Sequence, residues 1–250
     1  MITRIHHVGI VVRSLAEAYG FYRDTLGLPL LKEAEIADQG VRAALVAAGE
    51  TEIELLEPTR SGTGVARFLD ARGEGLHHVC FEETDLEAAL RGLAARQVAL
   101  IDRAPRPGLA GMIAFLHPRA CAGVLVELAR PATPPAELES AVRIKRLVIG
   151  AEDPRQTVRM FQDLFALPEM AMNGGPRAML AVGRGTVLVV PAGDVGGGVG
   201  LVALSLVATD FSTLVSALDA CSVKLLKGTG EVTVDPASSH GVHLHISRYE

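Results

Sequence analysis

The sequence predicts an α+β fold in which one βαβββ module occurs four times, arranged as two tandem domains. Two observations carry this reading. A His-His pair opens a short apolar run twice, in Ile5-His6-His7-Val8-Gly9-Ile10 and in Leu76-His77-His78-Val79-Cys80-Phe81. The second half of the chain then restates the first: residues 143–149 lie over 4–10 and residues 161–168 over 22–29 at an offset of 139, and residues 200–204 with 209–211 lie over 75–79 with 84–86 at an offset of 125. Self-similarity of this kind is the mark of a repeated supersecondary unit, and the smaller second offset makes the second copy shorter.

Each element follows from local pattern. Residues 8–12 are β-rich, and Ser14 can cap a helix that places Leu15, Ala18, Tyr19 and Tyr22 on one face, with Gly27 closing it. Residues 28–34, 40–47 and the segment around Glu54 read as three strands, the last ended by Pro58. A Gly-rich loop at 60–64 and a short helix at 65–71 lead to the second module at Gly75. There Asp85 caps a helix carrying Leu86, Ala89, Leu90 and Leu93, and strands are expected at 98–101, 112–116 and 124–128. Pro131-Ala132-Thr133-Pro134-Pro135-Ala136 reads as an extended linker, because proline fixes its own φ and disfavours helix in the residue before it. The expected organisation is a domain at 1–130, a linker at 131–141 and a second domain at 142–250.

Composition sets limits. Of 250 residues, 49% are hydrophobic, enough for substantial cores, yet no apolar run reaches the roughly 18–20 residues of a membrane helix. A net charge of −5 without a basic cluster argues against a nucleic-acid partner. The N-terminus runs directly into a strand pattern with no export signal, so the cytoplasm is the expected compartment. Cys80, Cys121 and Cys221 are too scattered for a disulfide framework and lack metal-ligand spacing; they are read as reduced thiols.

The chemistry lies in the repeated His and Glu. His7 and Glu54 are 47 positions apart, His78 and Glu127 are 49 apart, and each Glu sits in an apolar strand, Glu52-Ile53-Glu54-Leu55-Leu56 or Val124-Leu125-Val126-Glu127-Leu128. A carboxylate buried between leucines requires a cation or donors. Two copies each supplying one His and one Glu are how a fold with internal two-fold symmetry assembles a four-ligand metal site. His7 and His78 are chosen over His6 and His77 because they stand in the same phase before their strands. The mixed nitrogen and oxygen set suits one divalent ion, with Co, Mn, Ni, Fe and Zn not distinguishable. In the second copy the matching positions are Arg146, Leu188, Ala203 and His245, so that domain is read as degenerate and without a metal site. His243 and His245 share one strand face and are given a surface or lining role, and Gly196-Gly197-Gly198-Val199-Gly200 is read as a connector rather than a phosphate loop.

Residues 1 to about 130 resemble the vicinal oxygen chelate (glyoxalase/bleomycin resistance) superfamily and, within it, methylmalonyl-CoA epimerase. The resemblance rests on the His-His strand openings, on Phe21-Tyr22-Arg23-Asp24-Thr25-Leu26-Gly27-Leu28, on Glu54-Leu55-Leu56-Glu57-Pro58-Thr59, on Gly73-Glu74-Gly75-Leu76-His77-His78, and on Phe115-Leu116-His117-Pro118 leading to Gly123-Val124-Leu125-Val126-Glu127-Leu128. It implies cupped mixed sheets, a metal at His7, Glu54, His78 and Glu127, and epimerisation of methylmalonyl-CoA or a close acyl-CoA through a metal-stabilised enolate. Single-domain relatives pair as dimers, which implies either a homodimer or a monomer whose second domain takes the partner's place. Some relatives carry glutamine at the position of Glu54 and a further glutamate, proposed as a base, at that of Ala43. Here Ala43 cannot move a proton: either Glu54 and Glu127 serve as ligands and bases together, or both are ligands only and another residue or water supplies the second base. Arg103, Arg106 and Arg119 are candidates for coenzyme A phosphates, and His117 for orienting a loop or touching substrate. Two other functions share the fold: a glyoxalase I-type lactoylglutathione lyase with the same ligand order, and a non-enzymatic ligand-binding protein.

Overall fold

The computed structural model describes residues 1–133, 139–172 and 174–249. Residues 134–138, the centre of the expected linker, lie outside the described residues. The first sheet contains β1 (Ile2–Val11), β2 (Leu30–Ile36), β3 (Val41–Ala48), β4 (Thr51–Pro58), β5 (Gly75–Glu83), β6 (Arg106–Gly108), β7 (Gly111–Leu116) and β8 (Val126–Arg130), in the order β2-β3-β4-β1-β5-β8-β7-β6. The second contains β9 (Val142–Ala151), β10 (Glu169–Met170), β11 (Ala178–Val182), β12 (Gly185–Pro191), β13 (Gly200–Ala208), β14 (Leu225–Gly228), β15 (Glu231–Val234) and β16 (His243–Ser247), and its order β10-β11-β12-β9-β13-β16-β15-β14 repeats that of the first. Both are mixed sheets: β5 pairs parallel with β8 and β13 with β16, whereas hairpin neighbours such as β3 and β4 are antiparallel.

Helices α1 (Leu15–Tyr19), α2 (Gly64–Arg72), α3 (Leu86–Ala95), α4 (Pro154–Phe165) and α5 (Phe211–Ala220) start at side-chain caps. Ser14, Thr63, Asp85, Asp153 and Asp210 each accept a first-turn N–H that the helix itself leaves unpaired. Helix α1 continues as a π-helical turn through 20–25, and Gly27 at φ 69° redirects the chain toward β2. None of these helices is long and apolar enough to cross a membrane.

One expected strand is corrected. Residues 98–101 make only a single bridge, Leu100 to Leu116, and the edge of the sheet is formed by Arg106–Gly108 instead. The carboxylate of Asp102 accepts the N–H of Phe115 at 2.9 Å, which takes the donor that a longer ladder would need. Pro107 is tolerated in β6 because an edge strand has one unpaired side.

By compactness the chain divides into two units, each drawing on both halves of the sequence. One comprises residues 1–7, 78–134 and 146–202. Its core includes Phe81 of β5 packed on Phe165 of α4 at 5.4 Å between ring centroids, with Phe161 beyond at 5.6 Å. The other comprises residues 8–77, 135–145 and 203–250. There the fully buried Tyr22 donates its hydroxyl to the Ser239 carbonyl at 3.0 Å, and Gly241, at φ 77°, brings its backbone so close to Glu74 that an added Cβ would stand 2.0 Å from the Glu74 carbonyl oxygen. Gly241→Ala therefore incurs left-handed backbone strain and a backbone clash together, a loss of about 2–4 kcal/mol. Urea unfolding of the two proteins measures it, and equal midpoints would show that this junction is not tightly packed.

Candidate metal and catalytic site

On β5 alternate side chains separate two faces. Val79 and Phe81 enter the core beneath the sheet, while His78 and Cys80 lie on the other face. The parallel register sets Cys80 opposite Glu127 on β8, and Phe115 of β7 stands opposite Glu127 in turn. These three therefore share the face of His78, whose ring meets Phe115 edge-on at 5.3 Å.

His7, Glu54, His78 and Glu127 are all buried, at 0%, 5%, 1% and 3% exposure. The Nε2 atoms of His7 and His78 are 3.0 Å apart. Glu127 presents Oε1 at 3.8 Å from His7 Nε2 and Oε2 at 3.5 Å from His78 Nε2. Glu54 joins the two histidines in a trio whose ligand atoms lie within 4.8 Å of one another. Two imidazole nitrogens each about 2.1 Å from one ion, at a right angle, stand about 3.0 Å apart. The spacing and the donor set, two imidazoles with buried carboxylates, fit a divalent cation.

Burial keeps His7 neutral, as ligation requires, lowering it to about 3 with the positive charge of Arg4 adding to the effect, and it lowers His6 to about 2, with His7 and Arg4 adding there. His6 Nδ1 lies 2.9 Å from His7 Nδ1. If His7 keeps the Nε2 lone pair for an ion, its Nδ1–H donates to His6, and the neighbour thereby selects the ligating tautomer. Cys80 donates its thiol to Glu127 Oε1 at 3.4 Å, and His6, His7 and Cys80 form a second buried trio of donor atoms within 4.8 Å. The sequence reading overlooked Cys80. Its signal was phase, two positions after His78 and therefore on the same face.

The other sequence candidates separate. His77 packs edge-on against Phe68 at 4.9 Å between centroids, and burial lowers it to about 4. His117 caps the turn at 118–120 by accepting the Arg119 N–H at 3.2 Å. Arg106 pairs with Asp102 at 3.1 Å and lies over the Phe115 ring at 5.6 Å, while Arg103 and Arg119 are exposed. Ala43 is fully buried in β3. The three cysteines are free thiols, with burial raising Cys121 to about 12. On β16, His245 lies 3.1 Å from the Glu231 carboxylate at a partly exposed position, and among the described residues no trio of metal-type donors forms on β9–β16.

Comparison with known proteins agrees with this architecture. Residues 6–115 match the Glyoxalase/Bleomycin resistance protein/Dioxygenase superfamily. The ethylmalonyl-CoA/methylmalonyl-CoA epimerase of Cereibacter sphaeroides is 38% identical over 133 residues, which are 51% of this chain and 98% of that protein. A solved methylmalonyl-CoA epimerase in complex with methylmalonyl-CoA and NH4+ is 35% identical with a TM-score of 0.52, covering 54% of this chain and 99% of its own. A mutant 4-hydroxymandelate synthase from Streptomyces coelicolor shares the fold over 98% of this chain and 92% of its own, at a TM-score of 0.74 and 17% identity. The epimerase likeness thus covers about half the chain, whereas the likeness of fold spans nearly all of it. The chain belongs to the Glyoxalase/Bleomycin resistance protein/Dioxygenase superfamily, the vicinal oxygen chelate proteins, and about half of it is an epimerase-like isomerase.

Proposed function

We propose that the first half of the chain interconverts the two epimers of methylmalonyl-CoA, or of a close acyl-CoA, at a divalent metal held by His7, Glu54, His78 and Glu127. The observation that carries this is the pair of buried imidazole nitrogens 3.0 Å apart, with both oxygens of the Glu127 carboxylate within 3.8 Å of them. The epimerase relatives support it. When bound, the ion supplies Lewis-acid stabilisation of the negative charge that grows on the thioester oxygen as the α-proton leaves.

The side chains of the protein do the remainder. Glu127 takes the α-proton of one epimer, and Glu54 returns one from the other side; for the opposite epimer the roles exchange. Cys80 holds one oxygen of Glu127 by its thiol and leaves the other for the reacting centre. His6 keeps His7 in one orientation. Burial of all four groups excludes bulk water, so the charges that develop are felt at short range. In this reading residues 142–250 form a degenerate domain that follows the linker and takes no part in the proton transfers.

The test is incubation of the purified full chain with one epimer of methylmalonyl-CoA in D2O, followed by NMR of the α-position, before chelation, after it, and after re-addition of Co, Mn, Ni, Fe or Zn. Equilibration of the epimers, lost on chelation and restored by metal, is the expected result. Equilibration that is indifferent to chelation, or turnover only of the hemithioacetal of methylglyoxal and glutathione run in parallel, would overturn the proposal.

A further inference from the structure

The position that matches His7 in the second half is Arg146, and its surroundings differ from those of a spare surface arginine. On β9, Arg146 and Val148 alternate with the buried Leu147 and Ile149, so they lie on the opposite face. Parallel register sets Thr186 and Leu188 of β12 beside them, and antiparallel register sets Met179 of β11 beside Leu188. All of these side chains are partly exposed, whereas their neighbours Ala178, Leu180, Val187 and Val189 are buried. The result is a partly exposed sheet face on which the apolar side chains of Val148, Leu188 and Met179 adjoin Thr186 and the Arg146 guanidinium.

That guanidinium lacks what its neighbours have. Arg155 pairs with Glu169 and Arg177 with Asp194, whereas Arg146 Nε is shielded from solvent with no hydrogen-bond partner, and among the described residues no carboxylate meets Arg146. A half-buried cation on an apolar face is costly unless an anion accompanies it. We infer that this face binds an aliphatic monocarboxylate, with the carboxylate on Arg146 and the chain lying across Val148, Leu188 and Met179. Charge complementarity selects the head group. Adjacent strands are about 4.8 Å apart, so the path from β9 across β12 to β11 is about 10 Å, which suits an extended chain of about eight carbons. The repeat has thus exchanged a cation-holding imidazole for an anion-holding guanidinium at the same place in the sheet.

The probe is octanoate, titrated calorimetrically into the full chain. Saturable binding of one octanoate is expected. Arg146→Met, which keeps the volume and removes the charge, should weaken it ten- to hundredfold, because charge-assisted hydrogen bonds are lost. Octanol should bind no better to the wild type than octanoate does to that variant. Leu188→Glu, which places an anion on the same face, should abolish octanoate binding, and it serves if Arg146→Met does not fold by circular dichroism. His7→Ala should leave binding unchanged, which separates this face from the candidate metal site. No saturable binding to the wild type, wild-type affinity in both Arg146→Met and Leu188→Glu, or loss of binding in His7→Ala would overturn the inference.

Discussion

His78→Ala reduces bound divalent metal from about one ion per chain to a small fraction, and kcat/KM for epimerisation falls at least about a thousandfold. The magnitude follows from losing one of the two imidazoles that face each other at 3.0 Å, which removes both a ligand and the several kcal/mol of charge stabilisation that a Lewis acid provides. His77→Ala is the control. Its ring packs against Phe68 outside the cluster, so its removal leaves metal content unchanged. Elemental analysis and initial rates on the two variants decide the matter, and retention of metal and activity by His78→Ala would refute the ligand assignment.

Glu127→Gln and Glu54→Gln each slow epimerisation about 10²- to 10⁴-fold, the usual contribution of a positioned general base. Glutamine preserves side-chain volume and a carbonyl oxygen that can still ligate, so the loss falls on proton transfer rather than on folding. The two variants differ in a diagnostic way: each retains deuterium wash-in at the α-carbon starting from one epimer and loses it from the other. In the proposed mechanism each carboxylate faces one side of the planar carbon, which gives this asymmetry. If exchange proceeds at wild-type rates in both variants, neither group is a base, and the lack of an acid side chain at Ala43 must be met by another donor.

Much of the fold was legible because its signals are local. The caps Ser14 and Asp85 are short polar side chains before apolar periodic runs, and each caps its helix. The repeat was legible because equal modules need equal patterns, and the two sheets have the same strand order. The strand expected at 98–101 was misread because its β-rich composition competes with a side chain, Asp102, whose capture of the Phe115 N–H cannot be seen without tertiary contact. Cys80 is the reduced, buried thiol the sequence suggests, but its place opposite Glu127 could not be read from a thiol in an apolar strand, because register alone sets it there.

By itself the sequence determined the four modules, most of the elements within them and the recurrence of a histidine and a glutamate in each of the first two, since periodicity and spacing are properties of the chain alone. Only the tertiary structure decided that the Nε2 atoms of His7 and His78 meet at 3.0 Å, that Cys80 reaches Glu127, and that Arg146 Nε is shielded with no hydrogen-bond partner among the described residues. Strand phase alternates every residue, but what stands opposite is chosen by register between strands far apart in sequence, and that register is established only when the sheet closes over its core.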